Sequence, residues 1–443
     1  MPKPTHNLSP FRGILELSRN GSKKRLLFWG DSQMTVHTNT RLPVGFRDTL
    51  PCPAFSFTGH ATPTGNDTLC GFDGNGAVSN AVFANHQAAT SSPWVGTHLF
   101  TPGNAKISPD QWSERQYAAD VAADAGPLFR FYARAGFTDT DLFSQFKRGS
   151  WLTASFKVRP IIYFDSATQS SSLDAYAYRN GSAGAKNTIT SASWTTAGTG
   201  TGVKYQDVTC NGNTTDEPRC GIFASTGITE TAWSSHGAES SAAALGCVFE
   251  STSATQGLGF TFIGNAGHPA GLAAANTLVS DANMEGYLKA VGIPDALVYM
   301  LGHNLTATQV TGGTTLEAQW KTDVLADIDW LRARMTAAGA TNPIVWLIAP
   351  WRTTAAGGYA DSVVLAQAQA CYEISRDHSS GLVSYTSLAD LAMSSTDAVA
   401  SGYLGVADIH PQNRTAAAYY AGKAVEAAFS EPRVYGLTHR HGR

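Results

Sequence analysis

Charged side chains are scarce in this sequence. Asp, Glu, Lys and Arg make up 15% of its 443 residues, against roughly 25% in an average globular domain. The basic residues are scattered and the formal net charge is -3. Because no basic stripe is present to hold a phosphate backbone, we expect no nucleic-acid partner.

Long apolar runs and metal-binding cysteine motifs are also missing. No apolar run approaches the ~20 residues that cross a bilayer, so we expect no membrane span. The six cysteines form no C-x-x-C pair, which argues against a structural zinc site. We predict no metal and no organic cofactor. The first residues show no hydrophobic signal core, and the composition is compatible with extracellular or virion-surface exposure, so location stays open, as do disulfide pairing and oligomeric state.

The apolar residues that are present follow two patterns. At the start of the chain and from residue 258 onward, short apolar runs such as A-L-V-Y-M-L and P-I-V-W-L-I-A-P alternate with helical segments. Fully apolar strands are typical of buried parallel sheets. Regular strand–helix alternation therefore predicts an α/β domain.

The middle of the chain has a different pattern. In W-L-T-A-S-F-K-V-R-P, apolar and polar residues alternate with the period of a half-buried strand. We therefore predict an all-β, sandwich-like module over 149–255, inserted between two core segments, 1–148 and 256–443. Residues 50–110 are rich in Gly, Pro, Asn and Thr and are interpreted as long loops.

Residues suited to catalysis follow four of the predicted core elements. In an open parallel sheet, sites form at the carboxyl ends of the strands. The groups are Gly30-Asp31-Ser32, then Gly264-Asn265 with Gly267 and Gly271, then Gly302-His303-Asn304, and finally Asp408 with His410.

The order Ser, Gly, Asn, His at these positions resembles the SGNH (GDSL-type) serine hydrolase superfamily. The resemblance covers about 25–50 and 258–430. G-D-S-Q resembles the first block, with Gln33 where Leu is common, and P-D-A-L-V-Y-M-L-G-H-N resembles the third, with Leu305 where Asp is usual. It implies a three-layer α/β/α, flavodoxin-like core with the β module inserted into it.

The resemblance also implies roles for individual residues. Ser32 would be the nucleophile, and His410 the base that takes its proton, because a serine hydroxyl is a weak nucleophile at neutral pH. The family places its acid three residues before the histidine, whereas Asp408 lies only two before His410. Asp408 either orients His410 or leaves a Ser-His dyad, and both alternatives stay open.

An oxyanion hole completes the implied site. Its donors would be the backbone N–H of Ser32, the backbone N–H of Gly271 and the side-chain amide of Asn304. Gly267 is the rival of Gly271 for the second position. Substrate contacts are predicted for His303, His268 and Trp351, which lie in or near the same loops.

Taken singly, each of these residues has a simpler explanation, since a serine between a strand and a helix is most often an N-cap. Taken jointly, they predict a serine esterase, and we expect a carbohydrate O-acetylesterase acting on an acetylated glycan. The alternatives are a lipid or short-chain esterase, and a catalytically inactive SGNH-fold protein with a binding or structural role, such as glycan receptor binding on a virion surface. In the β module, Trp194, Tyr176, Tyr178 and Trp233 are candidates for stacking on sugars or for the module's own core.

Overall fold

The fold was analysed in a computed structural model of the chain. It describes residues 3–34, 42–50, 54–60, 127–132, 155–164, 172–180, 186–195, 202–211, 217–226, 242–252, 254–264, 269–271, 273–274, 281–354, 356 and 358–430. All structural statements below concern these residues.

The elements are numbered in chain order. The strands are β1 (Thr5–His6), β2 (Lys23–Gly30), β3 (Ala54–His60), β4 (Pro127–Tyr132), β5 (Ser155–Phe164), β6 (Ser172–Asn180), β7 (Lys186–Thr195), β8 (Gly202–Tyr205), β9 (Val208–Asn211), β10 (Glu217–Thr226), β11 (Ala242–Ser251), β12 (Gly257–Gly264), β13 (Ala296–Met300), β14 (Val310–Thr311), β15 (Thr315–Leu316), β16 (Ile344–Ala349) and β17 (Val383–Ser387). The α-helices are α1 (Ser9–Arg19), α2 (Leu42–Thr49), α3 (Asp281–Val291), α4 (Ala318–Ala338), α5 (Asp361–Asp377), α6 (Leu388–Leu391), α7 (Ser395–Ala400) and α8 (Arg414–Ser430), and a 3₁₀ helix covers Ser32–Met34.

Six neighbouring strands form a parallel sheet in the order β17-β16-β13-β2-β12-β3. The short β1 pairs antiparallel with β17 at one edge. The chain leaves β2 toward β3 and β12 on one side, and then crosses to β13, β16 and β17 on the other. The reversal of strand order falls between β2 and β13, which is where open α/β sheets bind their ligands.

Helices cover both faces of this sheet, because β2 is apolar on both sides. Leu27 and Trp29 join a core cluster with residues of α3, α4 and α5. Phe28 instead contacts Phe46 of α2, with ring centroids 5.0 Å apart, and Phe46 in turn contacts Trp346. Alternate residues of one strand thus pack against different helix layers. The described core is a three-layer α/β/α structure, and this part of the fold prediction is confirmed.

A glycine explains where helix α4 ends. In α4, Gly339 follows the last helical residue with φ +119°, a left-handed conformation that glycine adopts without steric cost.

Close packing of two helices also requires a glycine. A Cβ on Gly45 of α2 would lie 2.1 Å from the Ala417 carbonyl oxygen of α8, so these two helices approach each other closely only because Gly45 has no side chain.

The prediction of a separate β module over 149–255 is not confirmed. Strands β11, β5 and β8 of this range extend the central sheet through β3, with antiparallel pairing. Strands β4, β10, β6 and β7 form a four-stranded antiparallel sheet. Residues 54–60, interpreted as loop, are the strand β3 that connects the two halves.

An ion cluster holds the antiparallel extension to the parallel half. Glu250 of β11 is 7% exposed and accepts a hydrogen bond from Arg25 of β2. Lys23 and Lys157 approach the same carboxylate at 3.8 and 3.6 Å. Burial raises the pKa of Glu250, but the Arg25 and lysine charges outweigh burial and bring it below the ordinary value.

Among the helices that the structure describes, none has the length and apolar content needed to cross a bilayer.

Candidate active site

Three parallel strands end level with one another at the reversal point of the sheet. Gly30 is paired with Gly264 of β12 and with Met300 of β13. A Cβ on Gly30 would lie 2.5 Å from the Met300 carbonyl oxygen, so the absence of a side chain lets the strand ends come together. The segments that follow β2 and β13 therefore begin at one edge of the sheet.

Asp31 connects two of these segments. Its side chain is fully buried, and Oδ1 accepts the Gln33 backbone N–H at 2.9 Å. Its other oxygen, Oδ2, accepts a hydrogen bond from Asn304 Nδ2 at 3.2 Å. An amide nitrogen carries two hydrogens, so Asp31 orients the Asn304 amide with one hydrogen and leaves the second for a further acceptor.

Ser32 begins the 3₁₀ helix directly after this strand end. The turn is closed by the Met34 N–H, which donates to the Asp31 carbonyl oxygen at 3.0 Å. The Ser32 hydroxyl itself lies outside the described atoms. The backbone geometry places Ser32 on a tight strand-to-helix turn between two buried neighbours, Asp31 and Gln33.

His410 and Asp408 form a hydrogen-bonded pair. The distance between His410 Nδ1 and Asp408 Oδ1 is 2.7 Å, and the same oxygen accepts the His410 backbone N–H at 2.9 Å. Gln412 Nε2 donates to Asp408 Oδ2 at 2.9 Å. With Nδ1 donating to the carboxylate, the bond fixes the orientation of the ring and sets its tautomer.

The surroundings of Asp408 keep it ionised. Partial burial raises its pKa, but hydrogen bonds from the His410 amide, Gln412 and the His410 ring outweigh burial, and the pKa lies below the ordinary value. With a spacing of two residues, the carboxylate contacts both the backbone and the ring of the histidine.

Gln33 connects the serine turn to the histidine loop. Its Nε2 donates to the carbonyl oxygen of Ile409, the residue before His410, at 3.2 Å. Gln33 is fully buried, so this bond lies inside the protein. Ser32 and His410, 378 positions apart in the sequence, are thus each next to a partner in the same hydrogen bond. In the sequence Gln33 differs from the Leu that is common at this position of the pattern, and nothing near it predicts the bond to Ile409.

Gly271 is not available as the second oxyanion donor in the arrangement observed. Its backbone N–H donates to Asp327 Oδ2 at 2.8 Å, and an N–H that is already bound has no hydrogen to offer an oxyanion. Its φ of +95° is left-handed, and a Cβ would lie 2.9 Å from Asp323 Cγ. Gly271 therefore shapes the loop, and its rival Gly267 lies outside the described residues.

His303 and Trp351 pack against each other inside the protein, and a substrate contact of either stays a prediction. His303 is 6% exposed and Trp351 is fully buried. Their ring centroids are 4.9 Å apart, and His303 Nε2 donates to the Trp351 carbonyl oxygen at 3.4 Å. Burial lowers the pKa of His303, and neither Asp31 nor the Trp351 carbonyl offsets burial. His268 lies outside the described residues.

Tyr359 holds the backbone of Leu305, the residue that follows Asn304. Its hydroxyl accepts the Leu305 backbone N–H at 3.1 Å and lies 3.4 Å from the Leu305 carbonyl oxygen, to which it can donate. The tyrosine thus holds the residue after Asn304 by its backbone. Nothing in the sequence near Leu305 predicts this contact, since Tyr359 lies in a loop 54 residues further along the chain.

No group of three or more His, Cys, Asp or Glu side chains suited to a metal ion occurs in the part of the chain that the structure describes.

Comparisons with known proteins give only distant similarities. No family model and no curated protein matches the chain. The chain is similar to the structure of a peptidoglycan O-acetylesterase, with a TM-score of 0.47 and 11% identity over 95% of this chain and 93% of that chain. It is also similar to a family two carbohydrate esterase from Cellvibrio japonicus, with a TM-score of 0.27 and 9% identity over 62% of this chain and 87% of that one. An acetyl xylan esterase from the rumen bacterium Butyrivibrio proteoclasticus has a TM-score of 0.24 and 9% identity over 62% of this chain and 88% of that chain.

Proposed function

We propose that this protein is a serine esterase of the SGNH type. The observation that carries the proposal is the Asp408–His410 pair, with Nδ1 and Oδ1 2.7 Å apart, held beside the Ser32 turn by the Gln33–Ile409 hydrogen bond. A carboxylate-oriented imidazole next to a serine on a strand-to-helix turn is the arrangement that activates a hydroxyl for acyl transfer.

The reaction follows from these positions. His410 Nε2 takes the Ser32 hydroxyl proton while the serine oxygen bonds to the ester carbonyl carbon. The resulting oxyanion is stabilised by the Ser32 backbone N–H and by the second amide hydrogen of Asn304. The carbon–oxygen bond to the alcohol then breaks, and the alcohol leaves with the proton from His410. Water, deprotonated by His410, releases the acid from Ser32 and restores the enzyme.

Asp408 and Asp31 have separate roles in this scheme. Asp408 holds the tautomer of His410 and stabilises the imidazolium ion that forms when the proton is taken. Asp31 orients Asn304 before the substrate arrives, so that no reorganisation is needed when negative charge develops. The second backbone donor of the oxyanion hole is assigned to Gly267 in place of Gly271.

We propose an O-acetylated carbohydrate as the substrate. The support is the low charge and the high Gly, Ser and Thr content of the sequence, together with the β-strand region, which adds a wide sheet surface to the core. Within it, Tyr176 and Tyr178 lie in β6 and Trp194 lies in the adjacent β7, while Trp233 lies outside the described residues.

A fluorophosphonate probe tests the esterase proposal. We expect stoichiometric labelling of the wild type, hydrolysis of p-nitrophenyl acetate, and loss of both in Ser32→Ala. The matched control is Ser394→Ala, because Ser394 is a serine that only caps a helix, accepting the Asp397 N–H at 3.2 Å. This control should keep labelling and activity. A wild type that neither labels nor hydrolyses the ester would point to the binding or structural alternative.

The substrate class needs a second measurement. Acetate release should be compared on acetylated xylan, peptidoglycan and a host-type polysaccharide, beside a series of p-nitrophenyl esters of increasing acyl length. We expect release from at least one glycan and a steep fall beyond short acyl chains. Activity that rises with acyl length and no release from any glycan would identify a lipid esterase instead.

A further inference from the structure

A second buried carboxylate lies outside the catalytic pair. Asp327 is fully buried in α4, within the same apolar stripe as Val324, Ile328 and Leu331. Helical spacing therefore directs this aspartate into the protein, where apolar side chains would be expected. Burying a carboxylate is costly unless hydrogen bonds compensate.

The partners of Asp327 come mostly from one loop. Oδ2 accepts the Gly271 N–H at 2.8 Å, and Oδ1 accepts the Ala274 N–H at 2.9 Å. The Tyr299 hydroxyl of β13 donates to Oδ2 at 2.9 Å. One side chain thus fixes two backbone amides, three residues apart, in the segment that follows β12.

The same loop is held from its other side. Gln309 is 1% exposed, and its Nε2 donates to the Ala270 carbonyl oxygen at 2.9 Å and to Asp323 Oδ2 at 2.6 Å. Its Oε1 accepts the Thr306 N–H at 3.1 Å. Gln309 therefore ties the segment after β12 to the segment that carries Asn304.

The hydrogen bonds that Asp327 accepts only partly offset the cost of burying its charge. Burial raises its pKa from an ordinary value of 3.8 to about 6, although hydrogen bonds from Ala274, Gly271 and Tyr299 act against burial, and Asp323 adds to the rise. A residue needed only for packing would be replaced at lower cost by an apolar one. Local choices that disfavour stability are expected where function needs a fixed geometry.

We infer that Asp327 is a positioning residue of the active site, whose carboxylate fixes the backbone of Gly271 and Ala274 and so, through Gln309, holds the segment that carries Asn304. This inference rests on the proposed function. Gln309 acts with Asp327 because it joins this loop to the Asn304 segment, donating to the Ala270 carbonyl oxygen and accepting the Thr306 N–H.

The test combines Asp327→Asn with two measurements. An asparagine side chain has only one acceptor oxygen and places an NH₂ group against the other amide. Peptide-level hydrogen exchange over 269–274 should therefore become at least about 10-fold faster in the variant. If the esterase is active, kcat should fall about 10- to 100-fold with little change in KM, as for a misplaced transition-state donor.

The controls separate the possible failures. Asp329→Asn changes an exposed carboxylate two residues away on the same helix, which contacts His378, and should alter neither measurement. Gln309→Leu tests the loop from its other side if Asp327→Asn fails to fold, and the same two effects are expected.

Unchanged exchange over 269–274 would overturn the inference, and so would faster exchange with an unchanged kcat. An inactive wild type would reject the proposed function and the catalytic role, while the exchange data would still report on the anchoring of the loop.

Discussion

Two loops at the active-site edge are each organised by an aspartate, and they use it in opposite ways. Asp408 has a side chain that is 44% exposed and holds a histidine ring two residues away. Asp327 is fully buried and holds backbone amides of a loop 56 and 53 residues earlier in the chain. The pKa of Asp408 is lowered by its hydrogen bonds, whereas burial raises that of Asp327 to about 6.

The difference shows how the environment of a carboxylate matches its task. In the proposed mechanism Asp408 stabilises a transient imidazolium and has to remain ionised, which its partly exposed position and its several hydrogen-bond donors favour. A group that holds backbone amides can be buried, because the hydrogen bonds that it accepts offset part of the cost of burial. The same residue type is therefore partly exposed beside a histidine in one loop and buried against backbone amides in the other.

The largest expected effect tests whether Asn304, which the 270–274 loop reaches through Gln309, belongs to the same site as His410. Asn304→Ala should lower kcat about 10²- to 10³-fold, because it removes an oxyanion donor. Fluorophosphonate labelling of Ser32 should slow in parallel, with unchanged stoichiometry. Asn20→Ala, at the C-cap of α1, is the control and should leave kcat unchanged. An Asn304→Ala variant with wild-type kcat would remove Asn304 from the site.

The next effect concerns the burial of Asp327. Its pKa is raised in the folded state, so the stability that it contributes is fully present below about pH 3.8 and is lost as the pH rises through about 6. Asp327→Asn lacks this titration. The free energy of unfolding of the wild type, relative to the variant, should therefore fall by roughly 2–3 kcal/mol between pH 4 and pH 7, measured by denaturant unfolding. A difference that stays constant over this range would show that Asp327 titrates normally.

A smaller effect is expected at Asp408. Asp408→Ala should lower kcat about 10- to 100-fold, because the Nδ1 partner and the charge are both lost. Asp408→Asn should lose less, since its oxygen still accepts from the His410 backbone and from Nδ1. Thermal stability of both variants should change little at this partly exposed site. Equal activity in all three proteins would mean that Ser32 and His410 act as a dyad.

The smallest effect tests the connection between the serine turn and the histidine loop. Gln33→Leu keeps the side-chain volume but removes the hydrogen bond to the Ile409 carbonyl oxygen, and it restores the residue that resembles the family pattern. We expect a loss of about 0.5–1.5 kcal/mol in stability and a few-fold fall in kcat. If kcat falls as far as in Asp408→Ala, the bond contributes as much to the position of His410 as the carboxylate does.

Much of the core could be predicted because its signals are periodic and local. The apolar runs became β13 (Ala296–Met300) and β16 (Ile344–Ala349), and α4 and α8 are among the helical segments that alternate with such runs. Asp408 could be proposed as the partner of His410 because they are two residues apart. The buried stripe of α4 also carried a readable signal, since an aspartate at an apolar position marks a buried polar contact, but its partner was not readable.

The prediction failed where pairing partners are distant in the chain. Strand β3 lies in a segment of loop-like composition, and its pairing with β11 joins residues about 190 positions apart in the sequence. For this reason the β-rich range looked like a separate module although part of it continues the central sheet. Gly271 was assigned to the oxyanion hole because nothing near it in the sequence shows that its N–H is already bound.

The sequence by itself determined the alternation of strands and helices, the glycines and polar groups that end the central strands, and the neighbouring Asp408 and His410. These features depend on residues within a few positions of one another, so composition and spacing express them. Only the tertiary structure decided which hydrogen bonds each group makes: Gln33 with Ile409, Asp31 with Asn304, and Asp327 with Gly271. A buried polar group needs a hydrogen-bond partner. Which group serves as that partner depends on what packs beside it in the folded protein, and this does not follow from the order of residues along the chain.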